Sequence, residues 1–358
     1  VRAARRRVVV LGEYGPAGRY HPTAFIRLLR PLRHPTLAGS LEVLDGRRLG
    51  TGQVDCVLLE RFWRFDVTLE LAEELVREIR RRRARFLYAI DDNLLDLGAD
   101  EPWSDPVGSE RRAAIRHFLR CADGVIVSTP ALAARLRGLN ERVVTVPNAL
   151  DEQLFPSAGA RLADRPAAST GPVVFGYMGT GTHDRDLLSV LEPLRAVLRE
   201  HRGEVELELA GVTKLERVRQ ALADLPVRFL AVPTSDLYLD YVAWAVDQLR
   251  WDFGIAPLED TPANRCKSDI KFLDYAFLGI PGIFSRCEAY RETVEHERTG
   301  LLCGGDPQEW QAALERLIED VALRRRLALA AHDAARPARS LALRAGDWLA
   351  AIEALCGP

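Results

Sequence analysis

Short apolar runs alternate with amphipathic stretches along most of the chain. Val8–Gly12, Leu41–Leu44, Val54–Leu59, Arg85–Ile90, Gly124–Ser128 and Val143–Val146 read as strands, and Thr23–Arg30, Thr68–Arg83 and Ser109–Arg120 carry helical spacing between them. From Pro156 to Pro172 the text PSAGARLADRPAASTGP has no period and is rich in Pro, Gly, Ala and Ser, so it reads as a connection. The alternation then restarts. Val173–Tyr177, Val205–Ala210, Val227–Ala231, Phe253–Leu258 and Ile283–Phe284 are expected strands, and Asp186–Glu200, Leu215–Ala223 and Leu237–Leu249 are helices between them. Gln308–Ile318, Ala322–Ala335 and Leu341–Cys356 close the chain as helices. Strand-helix repetition in both halves predicts α/β architecture with two doubly wound, Rossmann-like domains, 1–155 and 173–339, joined by a linker over 156–172.

One stretch concentrates the chemistry: WDFGIAPLEDTPANRCKSDIKFLDYAFLGIPGIFS, Trp251 to Ser285. A strand feeds a loop, and Ser268 is placed to cap a helix that ends at Gly279. Lys267, Lys271 and Asp274 fall on one face of that helix, while Ile270, Leu273 and Phe277 turn toward a core. Two ammoniums at the positive end of a helix suit a phosphate group, and a carboxylate one turn on suits a ribose diol. A solvated surface face would carry the same pattern. Lysine usage separates the two readings: only three of the 49 basic residues are lysine (Lys214, Lys267, Lys271), and two of them sit here four apart. A chain that uses arginine almost everywhere keeps a compact point charge where a planar fork would not serve.

Elsewhere the signals are weaker. Asp91-Asp92-Asn93 follows an expected strand, where carboxylates of a parallel sheet face the ligand crevice and a base for an acceptor hydroxyl could sit; a turn or helix cap explains the same residues. Gly12, Gly15 and Gly18 have G-x-x-G-x-x-G spacing, not the G-x-G-x-x-G of a dinucleotide site, and read better as a flexible loop between domains. The arginine run before Arg83 reads as a solvated helix face, and His117 as structural.

Net charge is −2, which recruits neither nucleic acid nor an acidic membrane. Six scattered cysteines without CxxC spacing argue against a zinc site or a disulfide framework and fit a reducing, cytoplasmic compartment. Arg2, Arg5, Arg6 and Arg7 precede an apolar run too short for a signal sequence. Peripheral contact with the inner membrane surface and a solvated terminus are both compatible with them.

APLEDTPANRCKSDIKFLDYAFLGIPGIFS, with Tyr290-Arg291-Glu292-Thr293-Val294 and Thr299-Gly300-Leu301-Leu302, resembles the donor-binding half of family 4 (group 1 type) glycosyltransferases of the GT-B fold. Gly176-Tyr177-Met178-Gly179-Thr180-Gly181-Thr182-His183-Asp184 is similar to the loop opening that half. Val127-Ser128-Thr129 and Val146-Pro147-Asn148-Ala149 resemble the end of the first half. The resemblance implies two domains facing a cleft, with a final helix (340–358) returning to the first through Leu341, Leu343, Trp348, Leu349, Ile352 and Leu355. It implies sugar transfer from a nucleotide-diphospho-sugar to a glycan, lipid-linked or small-molecule hydroxyl, of the kind found in polysaccharide biosynthesis, with retention and without metal or other cofactor. Lys267, Lys271 and His183 would then meet the diphosphate. Gly179, Thr180, Gly181, Thr182, Ser268, Asp274, Tyr290 and Glu292 would line the donor site, and Asp91 or Asp92 would serve the acceptor. Two departures stand out. No histidine follows the Asp91-Asp92 strand, and the first of the family's two paired acids falls at Cys266, with Asp269 and Glu259 as nearby substitutes. A catalytically silent module of the same fold that binds a nucleotide sugar or glycan therefore remains the alternative, with a dehydrogenase third.

Overall fold

The computed structural model describes residues 5–98, 107–155, 171–179, 183–212, 216–233 and 238–357. Most of the expected linker, together with Thr180, Gly181, Thr182 and Lys214, lies outside the described residues.

The strands are β1 (Arg6–Leu11), β2 (Leu41–Asp45), β3 (Cys56–Glu60), β4 (Arg85–Ile90), β5 (Gly124–Val127) and β6 (Val143–Thr145), then β7 (Val173–Met178), β8 (Val205–Ala210), β9 (Val227–Leu230), β10 (Phe253–Ala256), β11 (Gly282–Ser285) and β12 (Leu301–Cys303). They form two six-stranded sheets, ordered β2-β1-β3-β4-β5-β6 and β12-β11-β10-β7-β8-β9. Every strand pair within them is parallel. β3 and β5 are buried throughout, as strands covered on both faces by helices must be. In each sheet the chain builds first to one side of its first strand and then returns to build on the other. The resulting switch points, between β1 and β3 and between β7 and β10, are where parallel sheets open a ligand crevice.

The last helix, Leu341–Cys356, packs on the first sheet: Trp348, Ile352 and Leu355 share a core with Val8, Val10, Cys56 and Leu58. Leu343, expected in that contact, points outward and is 60% exposed. No helix among the described residues is long and apolar enough to cross a membrane.

Close packing in the second sheet sets the height of the helix Ile270–Leu278. Gly254 of β10 lies under the Tyr275 ring, where a Cβ would come within 2.7 Å, and the Tyr275 hydroxyl donates to the Ile255 carbonyl at 2.7 Å. Gly176 of β7 accommodates Trp251 in the same way; a Cβ there would stand 1.9 Å from the indole. Trp251 Nε1 donates to Glu208 Oε2 at 2.7 Å, so the buried carboxylate and the indole N–H satisfy each other.

Three expectations need correction. The loop after β1 is not a flexible connection between domains: Tyr14 bridges Tyr20 and Arg64, and the Glu13 amide donates to Glu60 Oε2 at 3.0 Å, so it is pinned to the first domain. Thr23–Arg30 is not a simple α-helix, because a π-turn spans Phe25–Leu29. Residues 301–303 form an edge strand, β12, where only a family motif was apparent.

Candidate active site

The second switch point brings together His183, after β7, and the loop and helix that follow β10. Lys271 occupies the first turn of the helix Ile270–Leu278 and is only 8% exposed. Its Nζ lies 3.2 Å from His183 Nε2 and 5.6 Å from the centre of the Tyr177 ring. Burial, and then the charge of Lys267, lower the Lys271 ammonium to about 8. Burial together with both lysines lowers His183 to about 4 against the pull of Asp186, so the imidazole is neutral near pH 7. Its Nδ1 lies 2.7 Å from Asp186 Oδ2. His183 thus meets Lys271 and Asp186 on its two ring nitrogens, rather than being free to donate toward a ligand as expected from sequence.

One turn along the helix, burial raises the Asp274 carboxyl to about 7, with Lys271 opposing the shift. Gly179 closes the back of the site: its N–H donates to the Ala210 carbonyl, and a Cβ would come within 3.0 Å of the His183 ring.

Lys267 points across the cleft, with Nζ 3.9 Å from Asp92 Oδ1 in the first domain. Although burial works against ionisation there, Lys267 and Arg61 hold the Asp92 carboxyl below its usual range. Asp91 turns the other way. Its Oδ1 is 3.7 Å from Arg61 Nε, and Arg61 Nε is 3.0 Å from Glu13 Oε2. Burial raises Asp91, and burial with the Asp91 and Glu13 charges raises Glu60 to about 8. Arg61 and Trp63 are in left-handed backbone, φ 44° and 65°, at the end of β3. At the first switch point the Arg61 guanidinium thus lies between the carboxylates of Glu13 and Asp91, beside two non-glycine residues in left-handed backbone. Glu13, Glu60 and Arg61 were not singled out from sequence. The text Glu60-Arg61-Phe62-Trp63 ending a strand was the available signal.

Ser268 is not the helix cap; the cap position is Asp269, without a side-chain cap bond. Ser268 Oγ instead accepts from Asn148 Nδ2 at 2.7 Å, joining the domains. Cys266 is buried against the first domain, where Thr129 Oγ1 donates to its carbonyl at 2.9 Å. Asp269 is held by both Arg339 Nη1 and Nη2 at 2.8 Å, and Glu259 pairs with Arg185. Tyr290 is a core residue, 1% exposed, its ring tilted 51° against that of Phe284 at 5.0 Å, so it is not presented to a ligand. Glu292 lines a cavity of about 400 Å³ between the domains, with Thr129, Lys267, Arg291 and Arg339.

The architecture matches solved structures along its whole length. HepE of Anabaena, solved in complex with UDP and glucose, aligns with a TM-score of 0.65 at 15% identity over 98% of this chain and 100% of that one. A glycosyltransferase from Rickettsia africae aligns with 0.58 at 11% over 99% and 100%. Sucrose-phosphate synthase from Thermosynechococcus elongatus aligns with 0.57 at 17% over 84% and 74%. The fold is GT-B. Residues 172–320, the stretch that carries Lys267, Lys271 and His183, match the family described as glycosyl transferases group 1. No curated protein is matched by the sequence.

Proposed function

We propose that the protein transfers a sugar from a nucleotide-diphospho-sugar to a hydroxyl acceptor, with retention and without a metal. The observation that carries this reading is Lys271: an ammonium 8% exposed at a sheet switch point, whose one hydrogen-bond partner among the described residues is a neutral imidazole. A cation held in that setting gains most when a dianionic group arrives. Negative charge grows on the leaving phosphate as the glycosidic bond breaks, so a fixed ammonium there stabilises the transition state more than the ground state. Lys267, at the mouth, adds the second cation and stands opposite Asp92, and in this reading the acceptor hydroxyl enters between the domains. Asp274 takes the ribose. The acceptor is a glycan, a lipid-linked sugar or a small molecule, and the site of action is the cytoplasm or the inner membrane surface.

HepE was solved with UDP and glucose and with UDP-glucose, which makes uridine donors the first to try. Thermal shift against UDP, GDP, ADP and their glucose conjugates should show one nucleoside diphosphate that stabilises the wild type, and turnover should survive excess EDTA. Activity restored only by Mn²⁺ or Mg²⁺ would refute the metal-free reading; stabilisation by none would refute the donor reading. The burial of Cys266, and the pairing of Asp269 with Arg339 and of Glu259 with Arg185, favour as a second reading a module that binds the donor without catalysis. Slow release of free sugar from the donor would exclude it.

A further inference from the structure

We propose that Asp186 is a positioning residue for Lys271, acting by fixing which nitrogen of His183 carries the proton. This rests on the reading that Lys271 holds the donor diphosphate. Asp186 is 3% exposed and uses both oxygens. Oδ1 accepts from the Glu259 amide at 2.8 Å and from Asn264 Nδ2 at 2.9 Å, while Oδ2 faces His183 Nδ1 at 2.7 Å. A carboxylate only accepts, so a neutral His183 must carry its hydrogen on Nδ1. Nε2 is then left with a lone pair, and that lone pair faces the Lys271 ammonium at 3.2 Å. The other tautomer would set N–H against N–H at the same distance.

The arrangement does two things for an anion. It holds the ammonium in place without neutralising it, because imidazole accepts one hydrogen and brings no negative charge to compete with phosphate. It also links the lysine to the loop 259–266, which docks on the first domain: Thr129 bonds the Cys266 carbonyl, and Asn93 Nδ2 lies 3.7 Å from Cys266 Sγ. Asp186 therefore joins the cation to the segment that contacts the acceptor domain.

Asp186→Asn separates this role from packing. The amide oxygen can keep the bonds to Glu259 and Asn264, while the amide NH₂ donates to His183 Nδ1 and moves the ring hydrogen to Nε2, against Lys271. Nitrogen chemical shifts of His183 report the tautomer directly. The chain has three lysines, so ε-¹³C lysine labelling yields three resolvable signals, with Lys271 assigned through Lys271→Arg. The wild type should show Nδ1–H, Asp186→Asn should show Nε2–H, and the Lys271 titration midpoint should fall by about one pH unit or more. His183→Ala keeps Asp186 and its loop bonds intact and should lower the same midpoint, which keeps the test open if the asparagine variant folds poorly. Nε2–H in the wild type, or an unmoved Lys271 midpoint in both variants, would overturn the proposal. UDP binding, measured separately, distinguishes the two levels. A tautomer switch in a protein that binds no nucleoside diphosphate upholds the positioning role and sinks the donor reading. Tight UDP binding with an unchanged tautomer does the reverse.

Discussion

Replacing Lys271 by methionine should make the ligand-free protein more stable while removing its affinity for nucleoside diphosphates. Methionine fills nearly the same volume without a charge to bury. The ammonium is lowered from about 10.5 to about 8, so its charged form is disfavoured in the fold relative to the unfolded chain. The sign follows from linkage. Between about pH 8 and 10.5 the unfolded chain binds more protons than the folded one, so wild-type stability rises with pH over that window. The penalty is fully present below pH 8 and absent above 10.5. A shift of about 2.5 pH units corresponds to about 3.4 kcal/mol, or roughly 7–14 °C in the melting temperature of a domain this size. Calorimetry of wild type and Lys271→Met from pH 6 to 11, without nucleotide, should show a gap in favour of the variant that closes toward pH 10.5. Adding UDP at pH 7 should reverse the order. A variant less stable than wild type at every pH, or one that still binds UDP, would show that Lys271 is a structural residue and not a cation held ready for an anion.

Glu60→Gln should match wild type at pH 4 and grow relatively more stable up to about pH 8, because the buried carboxyl, raised to about 8, is disfavoured once ionised; urea titrations at several pH values check this. Gly176→Ala places a Cβ 1.9 Å from the Trp251 ring and should cost about 3 kcal/mol or more, visible as loss of the cooperative unfolding transition of the second domain. Asp92→Asn should leave UDP affinity within about threefold while lowering turnover by about 10²-fold, if this residue meets the acceptor and not the donor; equal losses in both would place it in the donor site.

Strand-helix alternation made the two domains legible because buried parallel strands read as short apolar runs, and the switch points follow from their order. Lysine scarcity located the cation pair for a chemical reason. What escaped was pairing between distant segments. Ser268 has the residue type and position of a helix cap, yet its hydroxyl bonds Asn148 120 residues away, and local capping preference does not report that competition. Asp186 looked like the start of a helix because its three partners come from His183 and a loop more than 70 residues on. Glu13, the pair Glu60-Arg61, and Asp91 lie far apart in the sequence and meet only because β1, β3 and β4 lie side by side.

The chain passes between its halves twice, after β6 and again before the last helix, and the two passages are bonded to each other. The Leu150 amide donates to the Arg339 carbonyl and the Leu341 amide to the Leu150 carbonyl, both at 3.0 Å. Arg339 also reaches the Asn148 carbonyl at 2.8 Å while holding Asp269. Two crossings tied at one point leave little freedom to slide or separate there. Any motion that keeps these bonds is a rotation about that point, and its arc grows with distance from it. A few degrees there would leave Arg339 and Asp269 in place while releasing the Cys266 carbonyl from Thr129 and parting Lys267 from Asp92, so the cleft would open along a single angular coordinate.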